Sequence, residues 1–295
     1  MTCMPGIYCI LSHLPMPVKD VFQRADEEAG AREAFDDAAL YDFEYRRRRA
    51  DINFYRRLAD DRRQFAPVGP VLDLACGTGR LLLPLLHDGH TVVGLDRSAA
   101  MLAAASRRVL RLSAARRQRC LLVRADLRSF ACRPRFVLAV AAFHSVQHLY
   151  TTTDLQRFLR ATRACLVSGG WLAFDVLPPD PAWIGRDPLR RWGRTVFHHP
   201  VSGQRLVYTN YHRFDPRKRV LHMRLCYQPL DEHGRLAGPE RVVRLCHRQL
   251  EPSLVKGLLA RTGFRLLASF GGFDGRPVDQ EPGLADEHIY VAAAR

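Results

Sequence analysis

Between residues 70 and 177, short runs of consecutive apolar residues alternate with longer stretches in which apolar positions recur every three or four residues. A strand buried on both faces reads as an unbroken apolar run, and a helix on such a sheet reads as a stripe. The alternation therefore predicts parallel strands joined by crossover helices. Strands are expected at about 70–75, 91–95, 120–124, 136–141 and 171–176, with helices at about 80–88, 98–110 and 154–166. Gly169-Gly170 is expected to end the last of these helices just ahead of its strand.

The flanks read differently. Residues 31–62 are polar and helical, with Phe35, Leu40, Phe43, Phe54, Tyr55 and Leu58 as apolar points. After Pro178-Pro179 the texture changes to apolar/polar alternation, as in Arg205–His212 and Val220–Tyr227, punctuated by turn signals at Asp215-Pro216 and Glu232-His233-Gly234. That pattern predicts an antiparallel meander over 194–250. A helix at about 252–261 and strands at about 264–270 and 287–293 close the chain. The meander falls between the fifth strand and the last helix, so it is an insertion into one domain, a small lid sheet.

The loop after the first strand carries the chemistry. Val71-Leu72-Asp73-Leu74-Ala75-Cys76-Gly77-Thr78-Gly79-Arg80 reads as strand, tight glycine loop and helix start. Glycines there let a backbone approach a ligand closely, and the helix N-terminus offers free N–H donors. NAD, FAD and S-adenosylmethionine all suit such a loop. A dinucleotide fingerprint starting at Gly77 needs glycine at position 82, which is Leu82. The strand acid Asp73 lies four residues before Gly77, giving D-x-A-x-G-x-G. Asp96 ends the second strand about twenty residues after the loop, where an acid can accept from ribose hydroxyls. Ser98 suits the N-cap of the next helix.

These segments resemble motif I and its successors in the class I S-adenosylmethionine-dependent methyltransferases, with Ala75 in place of the first glycine, a methyl group the loop is expected to tolerate. Asp96, Ser98, Met101 and Leu102 match the family pattern D-x-S-x-x-M-L. Phe143-His144-Ser145-Val146-Gln147-His148-Leu149 is similar to the F-N-S-x-x-H-L segment of the glycine N-methyltransferase-like and antibiotic amino-sugar N-methyltransferase branches, with His144 replacing the asparagine. The resemblance implies an α/β, Rossmann-like fold: a seven-stranded, mostly parallel sheet with helices on both faces, its last strand antiparallel. It covers about 35–295, leaving 1–34 as an extension, partly disordered.

The same resemblance implies a cofactor pocket of Asp73, Ala75, Gly77, Gly79, Asp96, Arg97, Met101, Asp126, Leu127, Ala142 and Phe143. Met101 would lie over the adenine, the Asp126 carboxylate would meet its amino group, and the Leu127 backbone its ring nitrogen. An N-terminal helix would fold over the cofactor and bring Tyr41 and Tyr45. His144 and His148 are the candidates for orienting the acceptor or taking a proton, since imidazole titrates near neutral pH. The acceptor is expected between these histidines, the N-terminal helix, and Tyr208, Tyr211 and His212 of the meander. It is a small molecule with an amine or hydroxyl, and no metal is required; the alternative readings are an RNA methyltransferase and a non-catalytic module that binds S-adenosylmethionine. RNA enzymes of this fold that modify adenine or cytosine often carry Asn/Asp-Pro-Pro-Tyr/Phe or Pro-Cys after the fourth strand, and Ala141-Ala142-Phe143 is neither.

Charge alters this picture little. The formal net charge is +15, which invites a nucleic-acid partner. Of 45 basic residues only Lys19, Lys218 and Lys256 are lysine. Arginine excess beside abundant alanine reads as a GC-rich genome's codon bias. Runs such as Arg46–Arg49 lack the interleaved aromatics of single-strand binders and read as a solvated face. The eight cysteines show no zinc-like spacing and read as free thiols in a reducing cytoplasm. No apolar run approaches the roughly 20 residues of a membrane helix, and residues 1–17 make a poor signal peptide, with Met16 an alternative start. A monomer or homodimer is expected.

Overall fold

The computed structural model describes residues 27–65, 69–132, 136–278 and 287–295. The expected extension over 1–34 lies mostly outside the described residues. Its last part forms helix α1 (Glu27–Gly30), followed by a single 3-10 turn at Glu33–Phe35. Helices α2 (Ala38–Tyr45) and α3 (Ala50–Phe65) follow, where the sequence pattern expects helix. Asp37 caps α2 by accepting from the Leu40 N–H at 2.9 Å.

Strands β1 (Val71–Leu74), β2 (Val92–Asp96), β3 (Cys120–Arg124), β4 (Phe136–Ala141), β5 (Leu166–Val176), β10 (Phe264–Phe270) and β11 (His288–Ala294) form one sheet in the order β10-β11-β5-β4-β1-β2-β3. β11 runs antiparallel to both its neighbours, and the other pairings are parallel. β1, β2 and β4 are buried along their whole length, which is why they read as unbroken apolar runs. Helices α4 (Leu82–His87), α5 (Ala99–Leu110), α6 (Ala114–Arg117), α7 (Thr152–Cys165), α8 (Pro181–Ile184) and α9 (Pro252–Arg261), with a second 3-10 turn at Ser145–His148, complete the described helices. Ser98 caps α5 through the Met101 N–H, and Thr151 caps α7 through the Asp154 N–H. No helix among the described residues is long and apolar enough to cross a membrane.

The insertion forms its own antiparallel sheet, β6 (Trp192–His198), β7 (Arg205–Asp215), β8 (Val220–Pro229) and β9 (Arg241–Arg248), in chain order. Its inner face carries the apolar row Leu221, Met223, Leu225 and Tyr227, which packs with Leu206, Val243, Leu245 and Leu40 of α2. Residues 27–45 bridge the two sheets. Asp42 accepts from the Thr78 hydroxyl at 2.6 Å on the parallel-sheet side, and Tyr227 donates to Glu44 at 2.8 Å on the other. The free thiols Cys76, Cys120, Cys132, Cys165, Cys226 and Cys246 form no disulfide.

One boundary differs from the sequence reading. Gly169-Gly170 does not end α7, which stops at Cys165; the pair lies within β5. There the register against β4 shifts, from Phe136 opposite Leu166 to Leu138 opposite Trp171. The extra residues form a bulge that needs Gly169 at φ +71°. A Cβ on Gly170 would sit 2.9 Å from the Val167 carbonyl oxygen and 3.1 Å from that of Phe136, both backbone, whereas one on Gly169 would meet nothing within 4 Å. Gly170→Ala should therefore destabilise the fold by about 2–3 kcal/mol through forced backbone movement. Gly169→Ala should cost only about 1 kcal/mol, the left-handed penalty alone. Urea denaturation of both variants checks this, and equal losses would contradict the bulge geometry.

Candidate active site

The parallel strands end on one edge, and the meander covers that edge, enclosing a cavity of about 2430 Å³. Single-ligand sites usually measure roughly 300–1,000 Å³, so this one has room for two molecules side by side.

Its first half is built by the loop after β1. Ala75, Gly77 and Gly79 all take left-handed φ, at +58°, +55° and +85°. The Ala75 methyl thus fits, at a conformational cost of about 1 kcal/mol relative to glycine. A Cβ on Gly77 would meet nothing within 4 Å, so the backbone there stands open to a ligand. Gly79 does not line the cavity; it packs toward Leu83 and Ala105 and serves the turn into α4. Asp96 ties the loop to β2, its carboxylate accepting from the Gly77 and Ser98 N–H groups, each at 2.8 Å. Burial raises the pKa of Asp96. Burial also pushes Asp73 up to about 7, and its Oδ2 is buried with no partner. An open glycine backbone and an orphaned buried carboxylate oxygen fit a polar, cationic adenosyl ligand.

Arg97, Met101, Asp126 and Leu127 line the same half. Asp126 is held by Arg128 through the side chain at 2.9 and 2.7 Å and the backbone at 2.8 Å. Those bonds keep its carboxyl below the usual range. Arg128 and Arg97 both also reach Glu28 of α1, at 2.6 and 3.5 Å, so the N-terminal segment closes this end.

Tyr41, Tyr45, Ala142 and Phe143 line the middle. The Tyr41 and Tyr45 rings lie 4.9 Å apart, and Tyr45 meets Phe143 at 4.7 Å. Burial raises Tyr41 to about 12 and Tyr45 further, so both hydroxyls stay protonated donors at neutral pH. The Arg80 and Arg48 guanidinium groups lie 4.7 and 4.9 Å from the Phe143 ring centroid. Arg80 is paired with fully buried Asp51. The run Arg46–Arg49 is thus only partly a solvated face, because Arg48 turns inward onto Phe143 and the Glu287 carboxylate.

The second half belongs to the loop after β4. Phe143 and His144 have φ +59° and +58° and are fixed by Asp175, which accepts from their N–H groups at 2.9 Å each and from the Tyr55 hydroxyl at 2.6 Å. His144 Nε2 lies 2.7 Å from Glu287 Oε2. His148 faces the cavity beside His247 of β9, ring centroids 5.1 Å apart, and its Nδ1 is 3.5 Å from the Tyr150 hydroxyl. Burial lowers His144 to about 4, His247 to about 3, and His148 well below its ordinary value, so all three imidazoles are neutral. On β7, Tyr208 and His212 line the cavity together with Asn210. Tyr211 does not: strand alternation turns it to the opposite face, under the Arg191 guanidinium at 5.1 Å.

The donor atoms of His144, Asp175 and Glu287 come within 4.8 Å of one another. A guanidinium already neutralises Glu287, and three donors satisfy Asp175. The trio reads as a hydrogen-bonded network rather than a cation site. Sequence reasoning missed Arg48, Arg80, Asp175, His247 and Glu287. An acid ending an apolar strand, Phe174-Asp175-Val176, was a usable signal for one of them; the others had none. Tyr55→Phe removes one of the three donors to buried Asp175 and should cost about 1.5–3 kcal/mol, as for a hydrogen bond to a charged group. Denaturant melts test this, and a loss below about 0.5 kcal/mol would contradict the network.

Residues 71–170 match the family described as a methyltransferase domain. The chain is 32% identical over 151 residues to a dTDP-3-amino-3,6-dideoxy-alpha-D-glucopyranose N,N-dimethyltransferase of Streptomyces fradiae, covering 50% of this chain and 53% of that one. It is 31% identical over 170 residues to a dTDP-3-amino-3,4,6-trideoxy-alpha-D-glucopyranose N,N-dimethyltransferase of Streptomyces venezuelae, covering 55% of this chain and 67% of the relative. The matched stretch thus spans about half to two thirds of the length of these relatives. A solved structure of an amino pentose methyltransferase from Micromonospora echinaspora, with S-adenosylmethionine bound, superimposes with a TM-score of 0.62 at 21% identity, over 86% of this chain and 95% of that one. The loop, its acids and these similarities agree: the chain belongs to the class I S-adenosylmethionine-dependent methyltransferases, and S-adenosylmethionine is its cofactor.

Proposed function

We propose that this chain methylates the amine nitrogen of a small sugar-like acceptor. The observation that carries the reading is the cavity's two-part build. One half has the open glycine backbone and the acids Asp73, Asp96 and Asp126. The other has neutral histidines under the meander's apolar face. The named activities of the two Streptomyces relatives support an amino sugar as the acceptor.

When bound, S-adenosylmethionine supplies an electrophilic methyl on a sulfonium. The chain's own task is to hold, orient and dry the reactants. Asp96 and the Gly77 backbone hold the adenosyl end, and Asp73 offers its unpaired oxygen nearby. Phe143, Tyr41 and Tyr45 form the wall between the halves. The neutral imidazoles of His144, His148 and His247 present lone pairs and N–H donors without a cationic charge that would repel an ammonium. Residues 27–45 and the meander exclude water, which raises the effective concentration of the aligned acceptor.

Asp96→Ala should weaken binding of S-adenosylhomocysteine by about 1–3 kcal/mol, the loss of hydrogen bonds to a charged acceptor. Calorimetry measures it, and tighter binding of NADH than of S-adenosylhomocysteine by the unaltered protein would sink the cofactor assignment. For the acceptor, dTDP-3-amino-3,6-dideoxy-alpha-D-glucopyranose incubated with protein and cofactor should gain up to two methyl groups by mass spectrometry. Labelled methyl that enters a cell extract and vanishes on ribonuclease treatment would overturn the small-molecule reading.

A further inference from the structure

Glu287 opens β11's approach to the sheet, 143 residues from His144 in sequence and with no motif around it. It is 3% exposed, yet it lines the cavity beside His144, itself 5% exposed. The two share a 2.7 Å contact between Oε2 and Nε2. A single proton fits that gap in two ways. Either the imidazole donates its Nε2–H to a carboxylate, or the carboxylic acid donates to Nε2 while the imidazole carries its proton on Nδ1. Both forms keep the imidazole neutral, and the second holds one proton more than the first.

We propose that the Glu287–His144 pair is the proton acceptor for the incoming amine, a role that rests on the amine reading above. An amine bound as ammonium has no lone pair for attack. It passes one proton to His144 Nδ1 as the imidazole's Nε2 proton moves to Glu287: the ammonium becomes a neutral amine, and the carboxylate becomes an acid that donates to the now unprotonated Nε2. The freed lone pair then forms the nitrogen–carbon bond as the carbon–sulfur bond breaks, and the methylated nitrogen carries the positive charge. The proton on the pair leaves to water after product release, so each transfer liberates one proton.

The surroundings suit this. Arg48 donates to the other Glu287 oxygen from the loop between α2 and α3, Asp51 and Tyr55 face the pair from α3, and Asp175 faces it from β5. His247 lies 6.2 Å from His144 on β9, and His148 stands 5.1 Å from His247. Burial raises Glu287 to about 7 against the opposing pull of Arg48. The carboxylate is therefore the titrating member, ionised and able to accept above that pH, and the imidazole, lowered to about 4, is not.

Two measurements on the full chain loaded with S-adenosylhomocysteine or S-adenosylmethionine decide it. First, ¹⁵N-histidine spectra, with His144 assigned by the His144→Asn variant, are followed from pH 5.5 to 8.5. The His144 proton should move from Nδ1 to Nε2 as pH rises through about 7, and the change should vanish in Glu287→Gln. A fixed tautomer across this range overturns the proposal, and so does a change that survives in Glu287→Gln. If Glu287→Gln fails to fold, the unaltered protein's titration alone decides. Second, methylation of dTDP-3-amino-3,6-dideoxy-alpha-D-glucopyranose is measured against pH. Glu287→Gln should lower kcat/KM at least about tenfold at pH 7 and approach the unaltered protein by about pH 9, where an amine of pKa near 8 is free base in solution. Affinity for S-adenosylhomocysteine should stay within about twofold. An equal loss at every pH marks a structural role and overturns the proposal. No methylation of this sugar by the unaltered protein at any pH would instead refute the acceptor reading, while the tautomer titration still rules on the pair.

Discussion

Asp175 is buried without exposure inside the central sheet, and burying a carboxylate is tolerable only if donors surround it. Its three donors come from two places: the Tyr55 hydroxyl from α3, and the N–H groups of Phe143 and His144 from the loop after β4. The two loop residues adopt left-handed φ, a conformation that non-glycine residues hold only when their surroundings over-determine it. The carboxylate supplies that determination. It thereby fixes where the Phe143 ring and the His144 imidazole stand in the cavity, and everything acceptor-facing follows from those two positions.

The second constraint is closure. A parallel sheet with helices on both faces offers a crevice at the carboxyl ends of its strands, open on one side. Here the antiparallel meander and residues 27–45 close it. The closure combines apolar packing, Leu40 against the meander's inner row and Tyr45 against Phe143, with polar bridges: Asp42 to Thr78, Tyr227 to Glu44, and Glu28 to Arg97 and Arg128.

Much of the fold was legible because β1, β2 and β4 are buried on both faces and read as plain apolar runs, and because the meander alternates with period two. The cofactor half was legible for a related reason: a tight loop and strand ends place Asp73, Gly77 and Asp96 at short, fixed spacings. What failed failed for physical reasons. Gly169-Gly170 reads as a helix stop, but the same freedom at φ > 0 serves a strand bulge, and local sequence does not separate the two uses. Tyr211 was grouped with Tyr208 and His212 by proximity in sequence, against the alternation that turns every second residue away. Arg48 was read with its neighbours as solvated, although one member of a charged run pays little to turn inward when a buried carboxylate waits there.

The acceptor half was hardest to read because it is assembled across the chain. His144 follows β4, His247 lies on β9, Glu287 precedes β11 and Arg48 precedes α3. None of these positions is near another in sequence, and apart from His144, which lies in a family-like segment, each alone reads as an ordinary surface or packing residue. Their chemistry exists only in combination: a buried carboxylate, one cation that keeps its charge affordable, and an imidazole held neutral by desolvation. Replacing asparagine by histidine at position 144 places a second titratable nitrogen against Glu287, which an amide cannot provide. The departure from the family segment thus coincides with a place in the cavity where a proton has two resting sites 2.7 Å apart.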